Sequence, residues 1–200
     1  MVREQIAARG TTNPAVLRAM RKVPRHEFIP EPQSDQAYLD QPVPIGHGQT
    51  ISQPAVVAFM TEALGLTGTE KVLEVGTGSG YQAAVLAELV PKVFTIEIIE
   101  PLAGRAAETL ARLGYTNVQV RAGNGSAGWP EEAPFDVVIV TAAAEQLPQA
   151  LLDQLAVGGR LIAPVGKGNQ MLILIRRTAT GYERTELLRV MFVPLTGGKE

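Results

Sequence analysis

The chain has 200 residues and a mass of 21.3 kDa, with 46% hydrophobic and 19% charged residues, the balance of a folded domain that buries its own core. Eighteen Lys and Arg against 20 Asp and Glu leave a formal charge of −2, without the basic excess of a general nucleic-acid binder. Cysteine is absent, which excludes disulfides, Cys-ligated zinc, iron–sulfur clusters and thiol nucleophiles, and the two histidines, His26 and His47, lack a helical metal spacing.

Charges at Arg3 and Glu4 fall where a signal peptide needs apolar residues, and no apolar run reaches membrane length, so a cytoplasmic protein is expected. Ile6 sits in a short polar helix that Gly10 stops. Thr12-Asn13-Pro14 starts a second helix, with Pro14 near its first position and Val16, Leu17 and Met20 as its apolar stripe; Pro24 ends it. From His26 to Ser52 no period is sustained, yet Phe28, Ile29, Tyr38, Leu39, Val43 and Ile45 predict a long loop ordered against the rest. A helix follows Ser52, with Ser52 itself as its expected N-cap and Gly65 as its stop.

Beyond residue 70 short apolar runs alternate with helical patterns. Strands are expected at 72–75, 93–97, 118–120, 137–140 and 161–164, with helices at 81–89, 101–113 and 148–155 between them. A run at 171–175 and another within 187–193 flank a polar turn at Thr180-Gly181 and read as an antiparallel pair. The expected fold is α/β: a doubly wound, mostly parallel seven-stranded sheet over 67–200, with residues 1–66 as a helical and loop extension.

In such a sheet ligands sit beyond the carboxyl ends of the strands. The turn after the first expected strand is Glu74-Val75-Gly76-Thr77-Gly78-Ser79-Gly80-Tyr81, a G-x-G-x-G pattern behind an acid. By itself it fits a tight strand-to-helix turn as well as a ligand loop. Glu97 ends the second expected strand, where an acid can accept both ribose hydroxyls of a nucleoside. Together they point to a nucleoside cofactor, either NAD or S-adenosylmethionine. Tyr81 in place of a third glycine argues against a diphosphate at the helix start. Glu74 would repel a diphosphate and attract an ammonium, which favours S-adenosylmethionine. Asn124-Gly125 after the third expected strand is either a plain turn or a contact for the adenine edge. Thr141, ending the fourth, either faces the ligand or caps its strand.

Six stretches then resemble one family: 23–30, Ala37-Tyr38-Leu39-Asp40, 44–54, 73–81, 135–142 and Val193-Pro194-Leu195-Thr196. The chain is similar to the protein-L-isoaspartate O-methyltransferases, and 45–54 is the stretch that separates this family from other methyltransferases. The resemblance implies a methyl transfer from S-adenosyl-L-methionine to the free carboxylate of isoaspartyl residues in damaged proteins and peptides, by a monomer that needs neither nucleic acid nor membrane. It assigns the cofactor to Gly76, Thr77, Gly78, Ser79, Gly80, Glu97, Asn124 and Gly125, joining Glu74 and Thr141 from the reading above, and puts Thr196 close to the bound ligands. It places the substrate against Ile45, Gly46, His47, Gly48, Gln49, Thr50 and Ile51, with Ser52 beside the accepting carboxylate and no metal. His47 reads as a loop residue, since a carboxylate needs no general base. The family usually has Asp where this chain has Asn124; Asn accepts without charge, so weaker cofactor binding is expected rather than none. A related enzyme acting on another carboxylate, or a non-catalytic cofactor binder, are the competing readings.

Overall fold

The computed structural model describes residues 1–197. Nine strands and five α-helices follow in chain order: α1 (Pro14–Lys22), β1 (Val43–Gly46), β2 (Gln49–Ile51), α2 (Pro54–Ala63), β3 (Lys71–Val75), α3 (Tyr81–Ala87), β4 (Lys92–Glu97), α4 (Glu100–Arg112), β5 (Val118–Ala122), β6 (Phe135–Val140), α5 (Gln149–Asp153), β7 (Leu155–Val165), β8 (Gln170–Arg177) and β9 (Tyr182–Val190). The seven-stranded sheet runs β5-β4-β3-β6-β7-β8-β9. β5 to β7 are parallel, and β8 and β9 complete the sheet as an antiparallel meander. The strand order reverses between β3 and β6, so the carboxyl end of β3 sits at the crevice where ligands of open α/β sheets bind.

Alternation along the strands divides the core in two. Val72, Val93, Val137 and Ile139 face one side, against α2, α3 and the amino-terminal segments; Leu73, Val75, Phe94, Ile96, Val138 and Val140 face the other, with Trp129 and Leu151. The first cluster also takes in Ile6, Val16, Met20, Phe28 and Ile45, so residues before 66 and after 67 share one apolar interior. Arg25 is wholly buried within it: Nε donates to the Ala37 carbonyl at 2.7 Å, and the guanidinium lies 4.8 Å from the centre of the Tyr81 ring.

Three expectations are corrected. The long loop contains a hairpin, β1–β2, whose turn runs through Gly46, His47 and Gly48, all at positive φ; strands of four and three residues are too short to show a period. The fifth helix stops at Asp153, because Leu155 is buried opposite Phe135 and already belongs to β7. Ser52 does not cap α2. Gln53 occupies the cap position without a side-chain bond, and Asp40 caps from outside, its Oδ1 accepting from Ala55 N at 3.0 Å and its Oδ2 from Gln53 Nε2 at 2.8 Å. Asn13 caps α1, accepting from Ala15 N and Val16 N, and Gly65 and Gly114 follow their helices in left-handed conformation. Among the described residues no helix is long and apolar enough to cross a membrane.

Candidate active site

A cavity of about 760 Å³, counting its open mouth, lies at the carboxyl end of β3 and β4. Its floor is the turn after β3. Gly76 has φ 96°, and a Cβ there would meet Thr141 Oγ1 at 2.5 Å, so no other residue fits without displacing β6. Thr141 is not free to face a ligand with its proton: its hydroxyl donates to the Val75 and Gly76 carbonyls and so pins the turn. Gly78 N donates to Glu97 Oε2 at 2.8 Å and Ile99 N to Glu97 Oε1 at 3.0 Å. Glu97, 6% exposed, therefore braces the turn from β4 while keeping lone pairs toward the cavity. Ser79 Oγ accepts from Tyr81 N at the start of α3.

Glu74 lies beneath this floor at 0% exposure. Its Oε2 accepts from Thr95 Oγ1 at 2.7 Å, and Thr95 is in turn 2.6 Å from Thr77 Oγ1. Its Oε1 is buried with no partner. Burial pushes the Glu74 carboxyl up to about 8; the Thr95 hydroxyl opposes the rise and the nearby Glu97 adds to it. Two carboxylates thus line the cavity, and among the described residues no Lys, Arg or His does.

Of the residues expected at the cofactor, Glu74, Gly76, Thr77, Gly78, Ser79, Glu97, Gly125, Thr141 and Thr196 line the cavity. A Cβ on Gly125 would meet Val75 Cγ1 at 2.5 Å, which explains the bare backbone there. Gly80 does not line it; it turns toward α4, where an added Cβ would lie 3.3 Å from Ala106 and Leu110. Asn124 is exposed and also outside the lining. Its Oδ1 accepts from Ser126 N at 3.0 Å, and its Nδ2 donates to the Gly197 carbonyl at 2.6 Å.

Of the residues expected at the substrate, Gln49, Thr50, Ile51 and Ser52 form the opposite wall. The Ser52 hydroxyl makes no hydrogen bond to the described protein, so it is available to a ligand. Ile45, Gly46, His47 and Gly48 stand back from the cavity. Ile45 is buried, with its carbonyl accepting from Arg105, and His47 is exposed at the hairpin tip with φ 53°. Sequence reading missed the third wall, Val193 to Thr196, except at Thr196. This segment crosses the end of β6, with Ala143 N donating to Val193 O at 2.8 Å and Leu195 N to Ala143 O at 2.7 Å. It has neither period nor chemistry to mark it; only the quoted Val193-Pro194-Leu195-Thr196 stretch hinted at it.

The sheet order, the glycine turn after β3 and the acid ending β4 are those of an S-adenosylmethionine-dependent methyltransferase. The sequence pattern described as "Protein-L-isoaspartate(D-aspartate) O-methyltransferase (PCMT)" matches residues 1–200, and the chain belongs to that family. Among its relatives, the protein-L-isoaspartate O-methyltransferase of Gloeobacter violaceus is 56% identical, over 100% of this chain and 98% of that protein. The one from a Synechococcus strain is 55% identical, over 98% of this chain and 83% of that protein. A Plasmodium falciparum structure described as a protein-L-isoaspartate O-methyltransferase, in complex with S-adenosyl-L-homocysteine, superposes with a TM-score of 0.84 at 29% identity, covering 98% of this chain and 96% of that one. Another solved protein-L-isoaspartate O-methyltransferase gives 0.88 at 29% identity; it is longer, and this chain spans 63% of it.

Proposed function

We propose that this chain methylates the free carboxylate of L-isoaspartyl residues in damaged proteins and peptides, using S-adenosyl-L-methionine, and so initiates their repair. One observation carries the reading. One cavity joins the glycine turn and Glu97 to an opposite wall that ends in Ser52, which has no partner among the described residues, and no described His, Lys or Arg lines it. The cofactor fits the residues present: bare backbone at Gly76 and Gly125, an acid at Glu97, and an orphaned carboxyl oxygen at Glu74. Glu97 would hold its ribose, and the turn at 76–79 with Glu74 its amino-acid end. When bound it supplies an electrophilic methyl group on sulfur.

The chain's own residues then have little chemistry to perform. A carboxylate with a pKa of roughly 4 is already ionised at neutral pH, so no base has to remove a proton. Ser52 Oγ–H donates to the accepting carboxylate and fixes its direction. Gln49 to Ile51 on one side and Val193 to Thr196 on the other enclose the pair and exclude water. Residues 1–66 act as the extension that carries the substrate wall, on a cofactor-binding core of 67–200. The protein acts as a cytoplasmic monomer that needs no nucleic acid, in keeping with its net charge of −2.

The test is turnover on an isoaspartyl peptide beside its aspartyl counterpart, with wild type and Ser52→Ala. Methylation confined to the isoaspartyl peptide is expected. Ser52→Ala should lose most of kcat while keeping its melting temperature, because Asp40, not Ser52, caps α2. Cofactor binding without turnover on either peptide would overturn the assignment. Full activity in Ser52→Ala would remove Ser52 from the site.

A further inference from the structure

Glu74 is set apart from Glu97 by its surroundings. Both oxygens of Glu97 accept from backbone amides, so its charge is held by the fold itself. Glu74 has one hydroxyl donor on Oε2 and nothing on Oε1, in a position closed to bulk water. The groups facing it are few. From β4 come Thr95 and Glu97; from the turn, Thr77; from β6, the apolar Ile139 beside it in register; from α3, the Tyr81 ring at the cavity wall. None is a cation. A buried carboxylate without a counter-charge is costly, whereas a buried carboxylic acid is not.

We propose that Glu74 is a proton-exchanging residue of the cofactor site: it is a neutral acid when the cavity is empty and gives its proton to solvent when the ammonium of the cofactor's amino-acid end reaches Oε1. This rests on the cofactor assignment above and deepens it. The balance is simple: Glu74–COOH and a cationic ligand become a Glu74 carboxylate paired with that ligand, and one proton enters the buffer. The Thr77–Thr95 hydroxyl chain suits the ionised state, since Thr95 donates to Oε2 and Thr77 can donate to Thr95. Binding then depends on pH, tightening as pH rises until Glu74 is ionised without the ligand's help.

Titration calorimetry with S-adenosyl-L-homocysteine, at one pH in buffers of different ionisation enthalpy, counts the protons directly. Near pH 7 the wild type should release close to one proton more than Glu74→Gln. Between about pH 5.5 and 7.5 its affinity should rise by up to tenfold per pH unit relative to Glu74→Gln, then level off. The free ligand's amine titrates alike in both experiments, so any difference in proton count arises in the bound site. Equal proton counts in the two proteins overturn the proposal while leaving the cofactor site intact. No binding at all, to a wild type that melts normally, overturns the cofactor assignment instead. If Glu74→Gln does not fold, Thr95→Val replaces it: loss of the only donor to Oε2 should move the levelling-off to higher pH, and an unmoved profile overturns the proposal.

Discussion

Glu97 has two demands on one carboxylate. It ends β4 at the cavity, where each oxygen keeps a free lone pair, and it ties the turn after β3 to the start of the segment leading into α4. Removing it should weaken both the ligand contact and the turn that shapes the contact. Glu97→Ala is therefore expected to bind S-adenosyl-L-homocysteine more weakly by about 1–3 kcal/mol, read by titration calorimetry. Unchanged affinity would mean that the ligand does not lean on this acid. Thr141 illustrates the opposite case. Either role suggested by its place at a strand end was open from sequence, and the structure uses the hydroxyl to hold the Val75 and Gly76 carbonyls.

The elements most legible in the sequence were those with a period. β3, β4 and β6 are continuous apolar runs because both their faces are covered, while α1 carries its Asn13 cap and α4 its Gly114 stop. The glycine turn was legible for the same reason: only bare backbone fits against Thr141. The β1–β2 hairpin and the 193–196 wall were not, since both are short and are held by neighbours distant in sequence. Asp40 reaches α2 from 15 residues away, and Ala143 pairs with Val193 and Leu195. The same distance hid the job of Asn124, whose amide donates to Gly197 just beyond the 193–196 wall. An aspartate there would keep the acceptor for Ser126 N but lose that donor and set two oxygens face to face. Asn124→Asp should accordingly raise hydrogen exchange at 193–197, even though the charged acceptor would suit an adenine amino group. Unaltered exchange would show that the tie is not what holds the wall.

At the scale of the molecule, the two ends of the chain depend on one interior, and two buried acids give its stability opposite slopes with pH. Glu70 has a side chain 6% exposed; burial pushes it up, but bonds from the Thr67 amide and hydroxyl, its own backbone amide and the Gly68 amide prevail and hold it at about 2, with Arg160 3.0 Å away. Its contribution is present above pH 4.5 and is lost as pH falls toward 2. Glu74, raised to about 8, works the other way: its contribution is present below pH 4.5 and is lost as pH rises from there through 8, because the unfolded chain ionises first. Urea unfolding of the unliganded protein from pH 5 to 8 should show wild type falling relative to Glu74→Gln, by at most about 1.4 kcal/mol per pH unit. Parallel curves would mean that Glu74 keeps an ordinary affinity for its proton.

The tie between Asn124 and Gly197 also sets a clock. Asn followed by Gly is chemically fragile, because the glycine nitrogen is unhindered in attacking the side-chain amide carbon. Ammonia leaves, and water opens the resulting succinimide to aspartate or isoaspartate. In the folded chain the amide is held at both ends, by Ser126 N and by the Gly197 carbonyl, so ring closure is favoured in molecules where those bonds are broken. Ageing at this residue therefore counts the time the cavity wall spends open. Peptide maps of protein stored for weeks should show deamidation at Asn124, slower in samples kept with S-adenosyl-L-homocysteine; equal rates would mean that the ligand does not keep the wall shut. Each hydrolysed copy would then lack the donor to the Gly197 carbonyl, and that loss would not reverse on refolding.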